Sequence, residues 1–124
     1  PTEAHAGACL VRGLLDLRRR QPAATVAVVA RAAAAARRVH QVLERCMDAR
    51  LVLDGLFHFT PGVDVTTAAR VKGLEFDVVV VPDATPATYP DEPDARRTLH
   101  VACTRAIQQL WLQGTGRLTP ILAG

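Results

Sequence analysis

The sequence predicts a single layered α/β domain built on a mostly parallel sheet. Two short runs, Thr25–Ala30 (TVAVVA) and Phe76–Val81 (FDVVVV), are apolar at almost every position, as strands covered on both faces must be. Segments of helical spacing separate the strand-like runs, which is the pattern of strand–helix crossovers. No repeat or low-complexity linker interrupts the 124 residues, so the chain is read as one domain over 1–124.

Each element has its own pattern. Ala8–Arg20 (ACLVRGLLDLRRR) places Leu10, Leu14 and Leu17 on one helical stripe. Its terminal arginines suit the negative end of a helix, and Gln21-Pro22 stops it. Arg31–Ala49 has high helix propensity throughout, with Val39, Val42, Leu43 and Cys46 as the expected inward face. Leu51–Leu53 reads as a short strand before an Asp54-Gly55 turn. Residues 63–67 (VDVTT) alternate as a strand does, whereas 83–94 (DATPATYPDEPD) is loop, with Asp91 or Asp94 expected to cap the next helix. That helix runs from Ala95 to about Ala106 through Leu99 and Ala102, and Gln108–Leu112 is the last strand. Phe57, Phe59 and Trp111 are read as core.

Composition narrows the function classes. Hydrophobic residues make up 49% and charged residues 22%, ordinary for a globular domain. No apolar run is long enough to span a bilayer and no signal peptide is visible, so the expectation is a cytoplasmic protein with no membrane partner. Cys9, Cys46 and Cys103 contain no C-x-x-C pair, and with four scattered histidines neither a zinc site nor a disulfide framework is expected. The net charge of +3 is compatible with a phosphate-bearing partner and does not by itself require one. The missing initiator methionine and the early stop after the last strand read as a fragment of a larger protein.

Ligands of open α/β sheets bind beyond the carboxyl ends of the strands. Three segments are therefore expected to converge at that edge: 66–75 (TTAARVKGLE), 99–106 (LHVACTRA) and the turn that begins at Arg31. Arg105 has the planar fork that phosphate oxygens accept, although a helix-end arginine is also an ordinary partner of the helix dipole. Gly73 lets the backbone approach a ligand, and Glu75 could bond a ribose hydroxyl; alone, each is an ordinary turn or solvated residue. Lys72 is the one lysine beside fourteen arginines, which singles out its position.

Taken together, VKGLEFDVVVV (71–81) and RRTLHVACTRAIQQLWL (96–112) resemble the paired late motifs of UvrD/Rep-type superfamily 1 helicases, which read K-G-L-E-F/W-D and Y-V-A-x-T-R-A. The tail from Tyr89 to Leu122 is most similar to HelD-like members, helicase-related ATPases that associate with RNA polymerase. The resemblance implies the second RecA-like domain of such a motor, a P-loop NTPase-type three-layer sandwich. It implies that Arg105 is the arginine finger toward the ATP γ-phosphate, and that Gly73, Glu75 and Lys72 bind nucleotide. It further places Thr67, with its neighbour Thr66, at a nucleic-acid backbone. ATP with Mg²⁺ is the implied cofactor pair, held mainly by an upstream Walker-containing domain, and single-stranded or duplex DNA is the implied partner. In the HelD-like branch RNA polymerase is a further partner, and a degenerate helicase-like interaction module is the remaining alternative. A bacterial cytoplasmic location goes with the family.

Departures from the pattern matter too. Ala69 stands where the family often has histidine, and His100 replaces the tyrosine of the sixth motif. No G-x-x-x-x-G-K-[ST] occurs in the chain, and the first domain's acidic metal-holding motif and Q-x-Y-R segment are absent as well. The expectation is half of an ATP cleft, inactive alone.

Overall fold

The computed structural model describes residues 3–123. In chain order the elements are α1 (Glu3–Arg20), β1 (Thr25–Ala30), α2 (Ala33–Glu44), β2 (Ala49–Leu51), β3 (Gly62–Thr67), β4 (Phe76–Val81), α3 (Pro93–Cys103) and β5 (Ala106–Leu112). A 3₁₀ turn, Ala68–Arg70, follows β3, and another, Pro120–Ala123, ends the described chain. The sheet order is β2-β3-β1-β4-β5, and every pairing is parallel. The mostly parallel sheet expected from sequence is thus parallel throughout.

Successive residues of a strand face opposite ways, so the central strands β1 and β4 must be apolar on both sides. Val26 and Val28 join Val63, Val65, Val78 and Val80 under α1 and α2, which contribute Leu10, Leu14, Leu17, Ala36 and Leu43. Ala27, Val29, Val79 and Val81 face the other way, onto α3 through Ala95, Leu99 and Ala102 and onto Ala68, Val71 and Tyr89. Helices therefore cover both faces, giving a three-layer sandwich.

The first helix starts at Glu3 rather than Ala8, the short strand is Ala49–Leu51 rather than Leu51–Leu53, and the third helix is Pro93–Cys103 rather than Ala95 to about Ala106. Three further differences have a non-local reason. The second helix stops at Glu44 rather than Ala49, because Ala49–Leu51 pairs with Val63–Val65 and the sheet takes those residues. Its inward face is Ala36 and Leu43 with Val39 packed partly against the core, while Val42 and Cys46 are exposed. The cap of α3 is Glu92, whose side chain makes no capping bond; Pro93 at the first helical position supplies a fixed φ, and Asp91 and Asp94 pair with Arg96 and Arg97 instead. The last strand begins at Ala106, two residues earlier than expected, because Ala106 aligns with Phe76 across the β4–β5 ladder.

The β3-to-β4 connection runs from one edge of the sheet to the other. Because β3 and β4 run parallel on either side of β1, the chain must return from the carboxyl end of β3 to the amino end of β4. Here the return takes only residues 68–75, without a full helix, and Ala68, Val71 and Leu74 anchor it on the α3 side of the sheet. At its end Asp77 and Thr25 clasp β4 to β1. Thr25 N–H donates to Asp77 Oδ2 at 2.9 Å, the Thr25 hydroxyl approaches the same oxygen at 3.3 Å, and Asp77 N–H donates back to Thr25 Oγ1 at 3.0 Å. Removing the carboxylate leaves a half-buried N–H without its partner, so Asp77→Ala should lower unfolding stability by about 1–3 kcal/mol. Urea denaturation of the domain measures this; an unchanged midpoint would show the clasp to be idle.

Candidate functional site

Strand registers divide the expected site residues between two opposite edges of the sheet. Ala30 aligns with Thr67, which puts Arg31 and Thr67 at the carboxyl edge. Phe76 aligns with Ala106, and the Phe76 N–H donates to the Arg105 carbonyl at 2.9 Å, which puts Arg105 and the Lys72–Glu75 loop at the amino edge. The convergence of all three segments at the carboxyl edge is therefore corrected. Because α3 runs back antiparallel to the strands, its C-terminal arginine arrives at the opposite end. The two edges lie six strand residues apart, roughly 20 Å at the usual rise.

At the amino edge, Arg105 follows the last turn of α3. Its Nε donates to Val101 O at 3.2 Å and its NH2 to Thr104 Oγ1 at 3.1 Å. Among the described residues no carboxylate pairs with it, so its charge is uncompensated and its remaining donors are available. Lys72 and Glu75 are exposed and, among the described residues, make no hydrogen bond or ion pair. Gly73 lies between them at φ +78°, a left-handed conformation that disfavours side chains, and a Cβ built there would meet nothing within 4 Å. Glycine is thus required here by the backbone turn, and the space beside it is open. Ala69 and His100 are both exposed; the His100 carbonyl serves the helix end by accepting from Thr104 N–H. Burial pushes the Cys103 thiol up, which makes it a poor nucleophile.

At the carboxyl edge, Thr67 is 7% exposed and makes no side-chain cap bond, whereas Thr66 is fully buried with an unpartnered hydroxyl. Thr66 as placed touches the interior of the domain and not its surface. Sequence reasoning missed the main feature of this edge, a cleft of about 380 Å³ between α1, α2 and the ends of β1, β4 and β5. The crevice lies where the chain leaves β1 toward one side of the sheet and β4 toward the other, a usual place for a ligand in such sheets. Arg31, Arg38 and Arg45 line it, spaced by seven residues, and that regular spacing was the available signal. Arg38 and Arg45 are exposed and have no partner among the described residues. Asp83, the acid of the lining, is occupied by the Thr85 and Thr88 hydroxyls. Arg31 bonds Thr88 O and lies 5.6 Å from the Tyr89 ring centroid. Among the described residues there is no acidic or His/Cys group able to hold a metal ion.

Aromatic placement differs from expectation at one position. Phe57 and Trp111 pack partly against the two cores, but Phe59, expected in the core, is 55% exposed.

The fold and part of the sequence are similar to those of known proteins. Residues 62–113 match the model of the UvrD-like helicase C-terminal domain. No curated protein matches. Among solved structures, the chain is similar to the C-terminal domain of a possible DNA helicase from Lactobacillus plantarum WCFS1, with 28% identity and a TM-score of 0.77 over 94% of this chain and 71% of that one. Among the described residues no helix is long and apolar enough to cross a membrane.

The cleft contains a built-in reporter, since Tyr89 is the one tyrosine of the chain. Burial, opposed by Arg31 and reinforced by Cys103 and Asp83, pushes its phenol up to about 12. A phenol whose folded value lies above its unfolded value of about 10 contributes stability that is complete below pH 10 and lost as pH rises toward 12. Absorbance titration of the phenolate should show this late ionisation, coincident with unfolding. Tyr89→Phe removes an unpartnered hydroxyl and should be neutral or stabilising by about 1 kcal/mol. A titration at the ordinary tyrosine value would contradict the burial.

Proposed function

We propose, from the match of residues 62–113 to the UvrD-like helicase C-terminal domain, that this chain is the second motor domain of an ATP-driven DNA helicase, with the ATP site at its amino edge and the nucleic-acid path at its carboxyl edge. The observation that carries this reading is the meeting of Arg105 with the Lys72–Gly73–Glu75 loop at one sheet edge, with the guanidinium free of any carboxylate among the described residues.

Phosphoryl transfer depends on positioning and on stabilising charge that spreads over the transferred oxygens. ATP with Mg²⁺ supplies the reacting phosphoryl group, and in this reading an upstream domain holds its β-phosphate and metal. Arg105 meets the terminal phosphate from across the interdomain gap and gives up its weak contacts with Val101 and Thr104 to do so. Gly73 brings backbone close to the phosphates, Lys72 offers a compact cation beside them, and Glu75 accepts from a ribose hydroxyl. Neither half then hydrolyses alone, because the guanidinium reaches the phosphate only when the domains close.

At the other edge, Thr67 and the cleft arginines form the nucleic-acid face. Two unpaired guanidinium groups and a third stacked on Tyr89 suit a phosphate backbone, whose binding is dominated by counterion release. Residues 68–75 join the two edges directly: Thr67 starts the crossover and Glu75 ends it. Nucleotide-driven movement of the loop at one edge is therefore transmitted to the strand contact at the other. No feature of the described residues favours the polymerase-remodelling reading, or the HelD-like branch, over this one.

Arg105→Ala in the full-length protein should lower ATP turnover by about three to five decades while circular dichroism stays native. Turnover within twofold of wild type would remove the assignment. The double variant Arg38→Ala/Arg45→Ala should weaken single-stranded DNA binding and reduce the dependence of log affinity on log salt by about 1.4 units. An unchanged salt slope would place the strand elsewhere.

A further inference from the structure

Resting on the amino-edge nucleotide reading above, we propose that Phe59 is the platform against which the base of that nucleotide stacks. Phe59 differs from the other large aromatics in being 55% exposed. Its backbone is held at φ 53°, the one left-handed non-glycine among the described residues. Such a conformation costs an L-residue about 1–2 kcal/mol, and strain of this kind at an exposed aromatic points to a use for the ring.

The ring is supported from behind. It lies nearly parallel to Phe76, at 21° and 6.5 Å between centroids, while Phe57 packs edge-on to Phe76 at 5.6 Å. Phe57 and Phe76 belong to the core under α3, so Phe59 is fixed on its inner face and free on its outer one. Phe76 also ties the platform to the phosphate end of the site, because its N–H bonds the Arg105 carbonyl. One short strand start therefore carries the guanidinium on one side and the aromatic face on the other, with the open space at Gly73 on the same edge.

Location decides the occupant. A flat heterocycle stacks on an exposed aromatic face, and every base has a π-face, so stacking alone does not choose between a nucleotide and a nucleic-acid strand. The arginine-lined cleft and Thr67 are at the opposite edge, roughly 20 Å away. What accompanies Phe59 is Lys72, Glu75 and Arg105, groups suited to phosphate and ribose. Stacking recognises any base, so the platform adds affinity for nucleotide without selecting strongly among bases.

The test compares ATP with ribose 5-triphosphate, which has no base, in the full-length protein. Wild type should show a KM for ATP about tenfold below that for ribose 5-triphosphate, as expected of one stacked base. Phe59→Ala should raise the ATP value to that of the baseless substrate and leave the latter unchanged. Phe59→Trp should keep the wild-type ratio, and its added indole emission should be quenched by ATP. A Phe59→Ala protein with the wild-type ratio, or a Phe59→Trp protein whose emission ignores ATP, would overturn the proposal. If Arg105→Ala still abolishes turnover in that case, the nucleotide site stands and the platform alone fails; if Arg105→Ala is silent, the underlying reading fails first.

Discussion

One backbone hydrogen bond organises the amino edge of this domain. The Phe76 N–H reaches the Arg105 carbonyl at 2.9 Å, where β4 and β5 begin side by side. It joins the end of the K-G-L-E-F-D segment to the end of the A-C-T-R-A segment, two stretches with no local reason to meet. Parallel pairing of β4 with β5 enforces the contact, and the apolar burial of β4 on both faces enforces the pairing. Arg105 is therefore placed by the sheet itself and not by a loop, which gives a long side chain a defined origin.

The second constraint is the economy of the β3–β4 connection. A parallel crossover usually needs a dozen or more residues and a helix. This one uses the eight residues 68–75, pinned by Ala68, Val71 and Leu74 to the core below α3. A short, anchored strip behaves as a strut, so a shift at Gly73 has little slack to absorb it before reaching Thr67. On the proposed function, that would be a mechanical reason for nucleotide state and strand contact to be coupled without a dedicated polar relay, with Ala69 standing where the resembling motif often has histidine.

Much of the layered fold was legible because it is written in period two and period 3.6. Val26–Val29 and Val78–Val81 could be nothing but strands buried on both faces, and the Leu10, Leu14, Leu17 stripe needed one face of a sheet. The ends of elements were less legible, since they are set by partners distant in sequence. Ala49 has every local reason to be helical and is a strand residue because Val63 is beside it. Arg105, Gly73, Glu75 and Lys72 could be singled out by motif, but their edge could not, because that depends on counting strand directions. The arginine cleft was hidden for a related reason: Arg31, Arg38 and Arg45 form a site only when α1 closes the other wall. Phe59 was misplaced because its side chain is apolar and its neighbours are core, whereas its left-handed backbone turns it outward.

Central to the proposed mechanism is the departure of Arg105 from its own helix end to meet a terminal phosphate carried by another domain. The most direct test is the structure of the full-length protein with Mg²⁺ and a non-hydrolysable ATP analogue. The Arg105 guanidinium should then lie within hydrogen-bonding distance of the γ-phosphate oxygens, released from Val101 and Thr104, with Gly73 against the phosphates. A bound analogue with Arg105 still on Val101 O and Thr104 Oγ1, and the phosphates nearer the carboxyl edge, would contradict it.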